Sequence, residues 1–366
     1  MKVECVKKKI CSAVSKVEKI TGKNMTLPIL SCILIEAKNN FLTLKSTNLD
    51  LGIEISIPAK VFKEGMIAVQ GTILNSFLSN LPNESNLKME EKEGNLCIIG
   101  GNSQTVIKSY PKEDFPTIPQ IVDGKIYEIN STDLIKGLKS VWYSASLSNI
   151  KPELSSIYIY GNGESLTFVA TDSFRLAEKV IKFRKSSDFG QILIPFKNIA
   201  DLLKIIGDEK ETIKINCTNN QISFEYNDIY IVSRVIDGVF PDYQQIIAKE
   251  FKTEVIVLKQ DLINILKVSN IFSDNFNQIS LRVSPKEKVL ELTAKNTNIG
   301  ENINKLSATI SGEEIEINFN YKYIIDCFQS IDSDSISLSF NGLNKPMVIR
   351  GISDKTFTYL VMPMNR

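Results

Sequence analysis

The sequence predicts an α+β fold made of three copies of one unit, each with two helices packed on antiparallel sheet and each about a third of the 366 residues. Three observations predict it. Strand-like stretches LTLKSTN, LTFVATD and LELTAKN begin at Leu42, Leu166 and Leu290, spaced 124 and 124 residues apart. Each alternates apolar and polar side chains and closes on a turn-forming Asn or Asp. A second set, QGTILNSFLSNLPN, PFKNIADLLKIIGD and NYKYIIDCFQSIDS, begins at Gln70, Pro195 and Asn320, 125 residues apart, with apolar residues at helical spacing. An earlier helix also recurs: VKKKICSAVSKVEKI from Val6, STDLIKGLKSVWYSA from Ser131 and LKQDLINILKVSNIF from Leu258.

Taken in chain order, each copy is strand, helix, several strands, helix, then more strands. The short connections NN at 39–40, GNGE at 161–164 and TNN at 218–220 are tight turns between alternating runs. That pattern argues for antiparallel hairpins with one solvated face, not a parallel doubly wound sheet. The second helix of the middle copy is the clearest, with Ile199, Leu202, Leu203 and Ile206 on one stripe; Ile324, Ile325 and Phe328 follow the same spacing in the last copy. DFP at Asp114–Pro116 is answered by VFP at Val239–Pro241, and VMP at Val361–Pro363 closes the third copy. The boundaries fall near Gly124 and Phe251, giving domains 1–124, 125–251 and 252–366. The links there are short and not Gly/Ser-rich, which argues against loose tethers.

Composition narrows the function. There is no histidine, which removes the commonest general base and metal ligand and every Ser-His or Cys-His dyad. The six cysteines form no Cys-x-x-Cys pair and most sit in apolar runs; they read as buried thiols of a reducing cytosol, with no metal and no cofactor expected. GGNSQT at 100–105 lacks the spacing of a phosphate-binding loop. No run is apolar enough for a secretion signal or a membrane span, so the expected localisation is cytoplasmic, with no membrane partner. An enzyme is disfavoured.

The formal net charge is +1, so any polyanion must be met by segregated charge. The helices carry Lys7, Lys8, Lys9, Lys16 and Lys19, then Lys136, Lys139, Lys197 and Lys204, then Lys259 and Lys267, whereas acids gather in MEEKEG (89–94), GDEKE (207–211) and SGEEIE (311–316). One basic helical surface is the expectation, suited to phosphates without base reading.

The threefold repeat, VATDSFRLA at 169–177, VIDGVFPDY ending at Tyr243, TLPIL at Thr26–Leu30 and the C-terminal YLVMPMNR together resemble the bacterial DNA polymerase III beta subunit family, the sliding clamps, over the whole chain. The resemblance implies DNA-clamp domains and a head-to-tail homodimer closed into a six-domain ring. Double-stranded DNA would pass through it without sequence preference. It implies a non-catalytic processivity factor whose partners are the DNA polymerase III alpha subunit, the clamp loader, and other polymerases and repair proteins bearing clamp-binding motifs.

Carried over position by position, the partner-peptide groove between the second and third domains comprises Leu154, Thr171, Ser173, Phe174, Arg175, Leu176, Pro241, Phe276, Asn320, Tyr323, Val361, Met362, Pro363 and Met364. Its occupants would be short motifs with Gln and Leu/Phe anchors, and two methionines, a proline and aromatics suit such a slot. Arg175 would hold the wall; Asp172 and Ser173 would shape a turn. DNA contacts fall on Lys23, Asn24, Lys151 and Lys197, with Asn24, Thr72 and Glu153 departing from residues found in some members. The dimer interface falls on Thr105, Val106, Ile271 and Phe272, Thr105 standing where some members carry an aromatic. Near-neutral charge also departs from a generally acidic family. A specialised copy, serving another polymerase or inhibiting host replication, is the alternative.

Overall fold

The structure, a computed structural model, describes residues 1–22, 27–82, 86–100, 103–183, 189–207 and 210–364. The first repeat runs β1 (Lys2–Val6), α1 (Lys7–Val17), β2 (Cys32–Lys38), β3 (Phe41–Thr47), β4 (Leu51–Pro58), β5 (Lys60–Lys63), β6 (Gly65–Gln70), α2 (Gly71–Asn80), β7 (Asn86–Lys92), β8 (Asn95–Gly100), β9 (Ser103–Ile107) and β10 (Ser109–Tyr110). The second runs β11 (Lys125–Asn130), α3 (Ser131–Val141), β12 (Ser156–Asn162), β13 (Ser165–Thr171), β14 (Arg175–Lys182), β15 (Ile192–Pro195), α4 (Phe196–Ile206), β16 (Thr212–Cys217), β17 (Gln221–Tyr226) and β18 (Ile229–Arg234). The third runs β19 (Thr253–Leu258), α5 (Lys259–Asn270), β20 (Gln278–Ser284), β21 (Val289–Asn296), β22 (Gly300–Ser307), β23 (Thr309–Gly312), β24 (Ile315–Asn320), α6 (Tyr321–Asp326), β25 (Ser335–Phe340), β26 (Met347–Gly351) and β27 (Phe357–Val361). The predicted order of strands and helices holds in all three.

Among the described residues the strands form four antiparallel sheets, and each repeat divides its strands between two of them. The opening strand and three later strands of each repeat (β1 with β7–β9, β11 with β16–β18, β19 with β25–β27) go to one sheet, joined by β5 in the first repeat and β23 in the third; the remaining strands go to the next. Sheet one is β5-β1-β7-β8-β9, sheet two β10-β6-β2-β3-β4-β18-β17-β16-β11, sheet three β15-β12-β13-β14-β27-β26-β25-β19-β23 and sheet four β22-β21-β20-β24. Repeats therefore join through β4–β18 and β14–β27, where Ile53 faces Ile231 and Ala177 faces Tyr359.

The chain accordingly forms two compact units, Met1–Leu134 with Lys197–Asp237, and Ile135–Phe196 with Gly238–Arg366. In the first, α1 buries Ile10, Val14 and Val17, and α4 buries Ile199, Leu202, Ile205 and Ile206. Leu203 is only half-buried, and Ile205 takes the fully buried place on that stripe. Phe115 of the DFP segment packs with Tyr110 on a cluster of Ile29, Cys32, Leu34 and Ala68. The turn at Asn39 and Asn40 has φ of 51° and 60°, the left-handed pair that a two-residue hairpin requires. In the second unit, Gly137 lets α3 lie directly on Phe168: a Cβ there would meet the ring at 2.5 Å.

Lys7 and Lys259 correct the charge reading. Lys7 is buried and its Nζ donates to the carbonyls of Leu81 (2.6 Å) and Pro82 (2.9 Å), past the end of α2; Lys259 Nζ donates to Ile331 O (2.8 Å), past the end of α6. Both open the first helix of their repeat and satisfy carbonyls beyond the second helix. Lys8, Lys9, Lys19, Lys136, Lys139, Lys197, Lys204 and Lys267 are exposed. The cysteines are free thiols, four buried and two, Cys11 and Cys217, half-buried; burial pushes Cys5 and Cys217 up to about 12, away from reactive thiolate. No helix among the described residues is long and apolar enough to cross a membrane.

Candidate functional site

The β13–β14 turn organises the second unit's site. Thr171 Oγ1 donates to Arg175 O (2.6 Å) and accepts from Ser173 N (3.2 Å). Asp172 Oδ1 accepts from Phe174 N (2.9 Å) and Arg175 N (3.0 Å). An Asp side chain that replaces backbone partners in this way makes a compact turn. It holds Ser173 at φ 77° and leaves Phe174 exposed.

Arg175 points back into the protein. Its Nε donates to Asp172 Oδ2 (3.1 Å), Nη1 to Asp326 Oδ2 (2.5 Å) and Nη2 to Tyr143 O (2.7 Å), and the guanidinium lies 4.7 Å from the Tyr323 ring centre. One planar fork thus ties the turn to α6 and to the segment after α3. Burial opposes the charge, but Tyr359, Asp326 and Asp172 outweigh it and the pKa lies above the ordinary arginine value. Burial also pushes the Tyr143 and Tyr359 hydroxyls up, so both stay neutral donors; Tyr359 donates to Tyr323 O (2.8 Å) and Tyr143 shares a hydrogen bond with Ser330 (3.1 Å).

The chain's last segment completes the arrangement. β27 lies beside β14 with Val361 opposite Arg175. Beyond it Met362 N donates to Phe174 O (2.8 Å) and Met364 N to Asn318 O (2.8 Å), so Met362, Pro363 and Met364 span from β14 to β24, each half-buried. Asn320 caps α6 through Lys322 N (2.9 Å) and donates to Phe276 O (3.3 Å), leaving the Phe276 ring 70% exposed. Phe240 stacks on Tyr158 (4.8 Å), and Tyr243 shares a hydrogen bond with Tyr160 (2.8 Å) and donates to Glu178 on β14, which clips the strap carrying exposed Pro241 to the same sheet. Leu154 is buried, and its carbonyl accepts from Ser146 N (2.8 Å) just beyond Tyr143. Thr171, Leu176 and Val361 are buried, so they build the wall and leave the accessible surface to Phe174, Tyr323, Phe276, Pro241 and Met362–Met364.

Sequence reasoning missed Asp326 and Tyr143. Asp326 had a signal: it is the acid inside an apolar helical run, one repeat on from Asp201. Tyr143 had none, because it contributes a backbone carbonyl.

The remaining candidates lie elsewhere. Lys23 and Asn24 are outside the described residues, as is Thr26 of the TLPIL segment. Lys151 is exposed in the turn whose carbonyl receives Leu154 N (3.0 Å), and Lys197 is exposed in the first turn of α4. Thr105 is half-buried and Val106 exposed on β9; Ile271 is 63% exposed and Phe272 half-buried just after α5. Among the described residues no cluster of three or more His, Cys, Asp or Glu could hold a metal.

Comparison with known proteins decides the family. The N-terminal, central and C-terminal domains of the DNA polymerase III beta subunit match residues 1–119, 128–242 and 244–365. The chain belongs to the DNA polymerase III beta subunit family. It is a DNA sliding clamp. The beta sliding clamp of Synechococcus elongatus is 27% identical over 374 residues, spanning 100% of this chain and 99% of the relative. The crystal structure of the Bacillus subtilis DNA polymerase sliding clamp superposes with a TM-score of 0.94 at 26% identity, covering 100% and 99% of the two chains. That of the Bartonella birtlesii sliding clamp bound to griselimycin gives 0.95 at 26% identity, with both chains fully covered.

Proposed function

We propose that this clamp closes as a head-to-tail homodimer around double-stranded DNA and acts as a non-catalytic tether in the cytoplasm. In this reading it holds the DNA polymerase III alpha subunit, the clamp loader and other motif-bearing polymerases and repair proteins at the 171–176 and 361–364 surface. The domains are 1–124, 125–251 and 252–366, six to a ring.

One observation carries the reading. Sheets two and three each combine the middle strands of one repeat with the closing strands of the next, whereas sheets one and four are unmatched halves. β9 and β22 are their edges, and they occupy the positions that β18 and β4, or β27 and β14, occupy where repeats join. Pairing β22 with β9 of a second copy continues the same rule and covers these two edges. The register follows too. Ile53, which faces Ser46, and Ala177, which faces Ala170, have as their third counterpart Asn302, which faces Ala294, and Ile231, which faces Phe224, corresponds to Thr105, which faces Ile98. Asn302 therefore pairs with Thr105 of the second copy, bringing exposed Val106 and Ile271 to the junction.

A chain carrying both Thr105→Cys and Asn302→Cys tests this. Oxidation should give a covalently closed dimer on a denaturing gel, since antiparallel partners stand at disulfide distance. Monomer alone, or a ladder of open polymers, would refute the pairing.

A groove that binds several partners needs an adaptable apolar surface around a fixed frame. Met362, Met364, Phe174 and Phe276 supply the first and Arg175 the second. For DNA, exposed lysines such as Lys151 and Lys197 supply sequence-independent phosphate contact, weak enough to slide.

A further inference from the structure

The turn that frames the proposed groove is built twice. In the first unit, Thr47 Oγ1 donates to Leu51 O (2.9 Å) and accepts from Leu49 N (3.0 Å), and Asn48 Oδ1 accepts from Asp50 N (3.1 Å) and Leu51 N (2.8 Å). These are the bonds of Thr171–Arg175, residue for residue, one repeat earlier. Leu49 sits at φ 79°, where Ser173 sits at 77°. Arg234 N donates to Asp50 O (2.9 Å) as Met362 N does to Phe174 O. Beside this turn lies a cavity of about 70 Å³ whose lining includes Thr47, Leu49, Asp50, Pro116, Val232 and Arg234. Pro116 is the repeat counterpart of Pro241.

We propose that this cavity is a second docking point for a short extended peptide of a protein partner, weaker than the groove. The peptide would bring one leucine- or phenylalanine-sized anchor and a neighbouring acidic residue. The proposal rests on the reading of the 171–176 turn as part of a partner groove. Three features specify the occupant. The cavity holds several waters, or one such side chain, given that a water needs about 10–15 Å³ on this measure. Leu49 is half exposed at a positive φ that disfavours any residue with a β-carbon, and its side chain lines the cavity. Arg234 and Asp50 replace Met362 and Phe174 at the rim. Their contact is long (3.7 Å) and both are about two-thirds exposed, so the pair contributes little and the guanidinium is open to an incoming carboxylate. The exchange of two apolar rim residues for charges is the reason for the weaker affinity.

The test is photo-crosslinking of the full chain with a synthetic peptide that has Gln and Leu anchors, an adjacent Asp and a benzoylphenylalanine at the second anchor. Labelled residues are mapped by mass spectrometry over a titration. Labelling is expected at 171–176 and 361–364 first, then at 47–52 and 232–234 at tenfold or more higher peptide concentration. Leu49→Gly should cut the second labelling at least fivefold and leave the first unchanged. Glycine accepts the positive φ, so its melting temperature should not fall, and Arg234→Glu should weaken the same labelling without touching Leu49. Labelling confined to the first region at saturation, or second-region labelling indifferent to both variants, overturns the proposal and leaves the groove standing. Labelling only of the second region would instead overturn the groove, and labelling of neither would sink both.

Discussion

Arg175 gathers in one side chain the contacts that tie together the frame of the proposed groove. Its three donors go in three directions and its face meets Tyr323. Lysine can satisfy one or two of these acceptors but cannot fork or stack. Arg175→Lys should therefore weaken partner-peptide binding by about tenfold, roughly 1.4 kcal/mol, in a fluorescence titration. An unchanged Kd would make Arg175 purely a stabiliser of the fold. Lys179 presents a different residue-scale case. It is 1% exposed, and its Nζ is held by Asp354 (3.0 Å) and Thr356 (2.7 Å). Asp354→Asn strands that charge and should cost about 3–5 kcal/mol in denaturant melts, whereas adding Lys179→Met should recover much of the loss. Burial pushes the Asp354 carboxyl up, but hydrogen bonds from Thr356 and Lys179 outweigh it and hold its pKa below the ordinary carboxylate range. A folded pKa below the unfolded value of about 3.9 gives stability that is present above that pH and lost as pH falls through the folded value. Melts from pH 5 to pH 2 should thus show an acid loss that is smaller in the Asp354→Asn, Lys179→Met pair.

At the scale of elements, periodicity was the legible part. Stretches separated by 124 residues became β3, β13 and β21, and the GNGE segment became the β12–β13 hairpin. The turn residues could be read because Asn and Asp accept their own backbone's hydrogens locally. What was not legible was anything set by distant partners. The lysines of α1 and α5 look alike in sequence, yet Lys7 and Lys259 are committed to carbonyls 74 and 72 residues away. Arg175 showed as a candidate, but its anchor Asp326 is 151 residues off. The same division governs the C-terminal segment. Removing Met362–Arg366 takes away two strand-end bonds, Met362 N to Phe174 O and Met364 N to Asn318 O, while β27 keeps its pairing with β14 and β26. Peptide binding should vanish with the melting transition still cooperative; retained affinity would move the groove elsewhere.

At the scale of the whole molecule, the half-sheets that end at β9 and β22 are the edges that the proposed two-copy ring would join. Thr105 is smaller than the aromatic that the family resemblance puts at that place in some clamps, so in the proposed ring Val106, Ile271 and Phe272 would carry the apolar contact. Phe272→Lys should split the dimer by placing a charge against it. For DNA, replacing Lys151 and Lys197 by Glu should weaken retention uniformly across sequences and lower the salt slope by about 1 per lysine. All of this presumes two copies. The most direct measurement is the mass in solution by light scattering over a dilution series. A species near twice 41.1 kDa that persists on dilution, and falls to 41.1 kDa in Phe272→Lys, is the predicted result. A monomer at every concentration would contradict the closed ring as this chain's resting state.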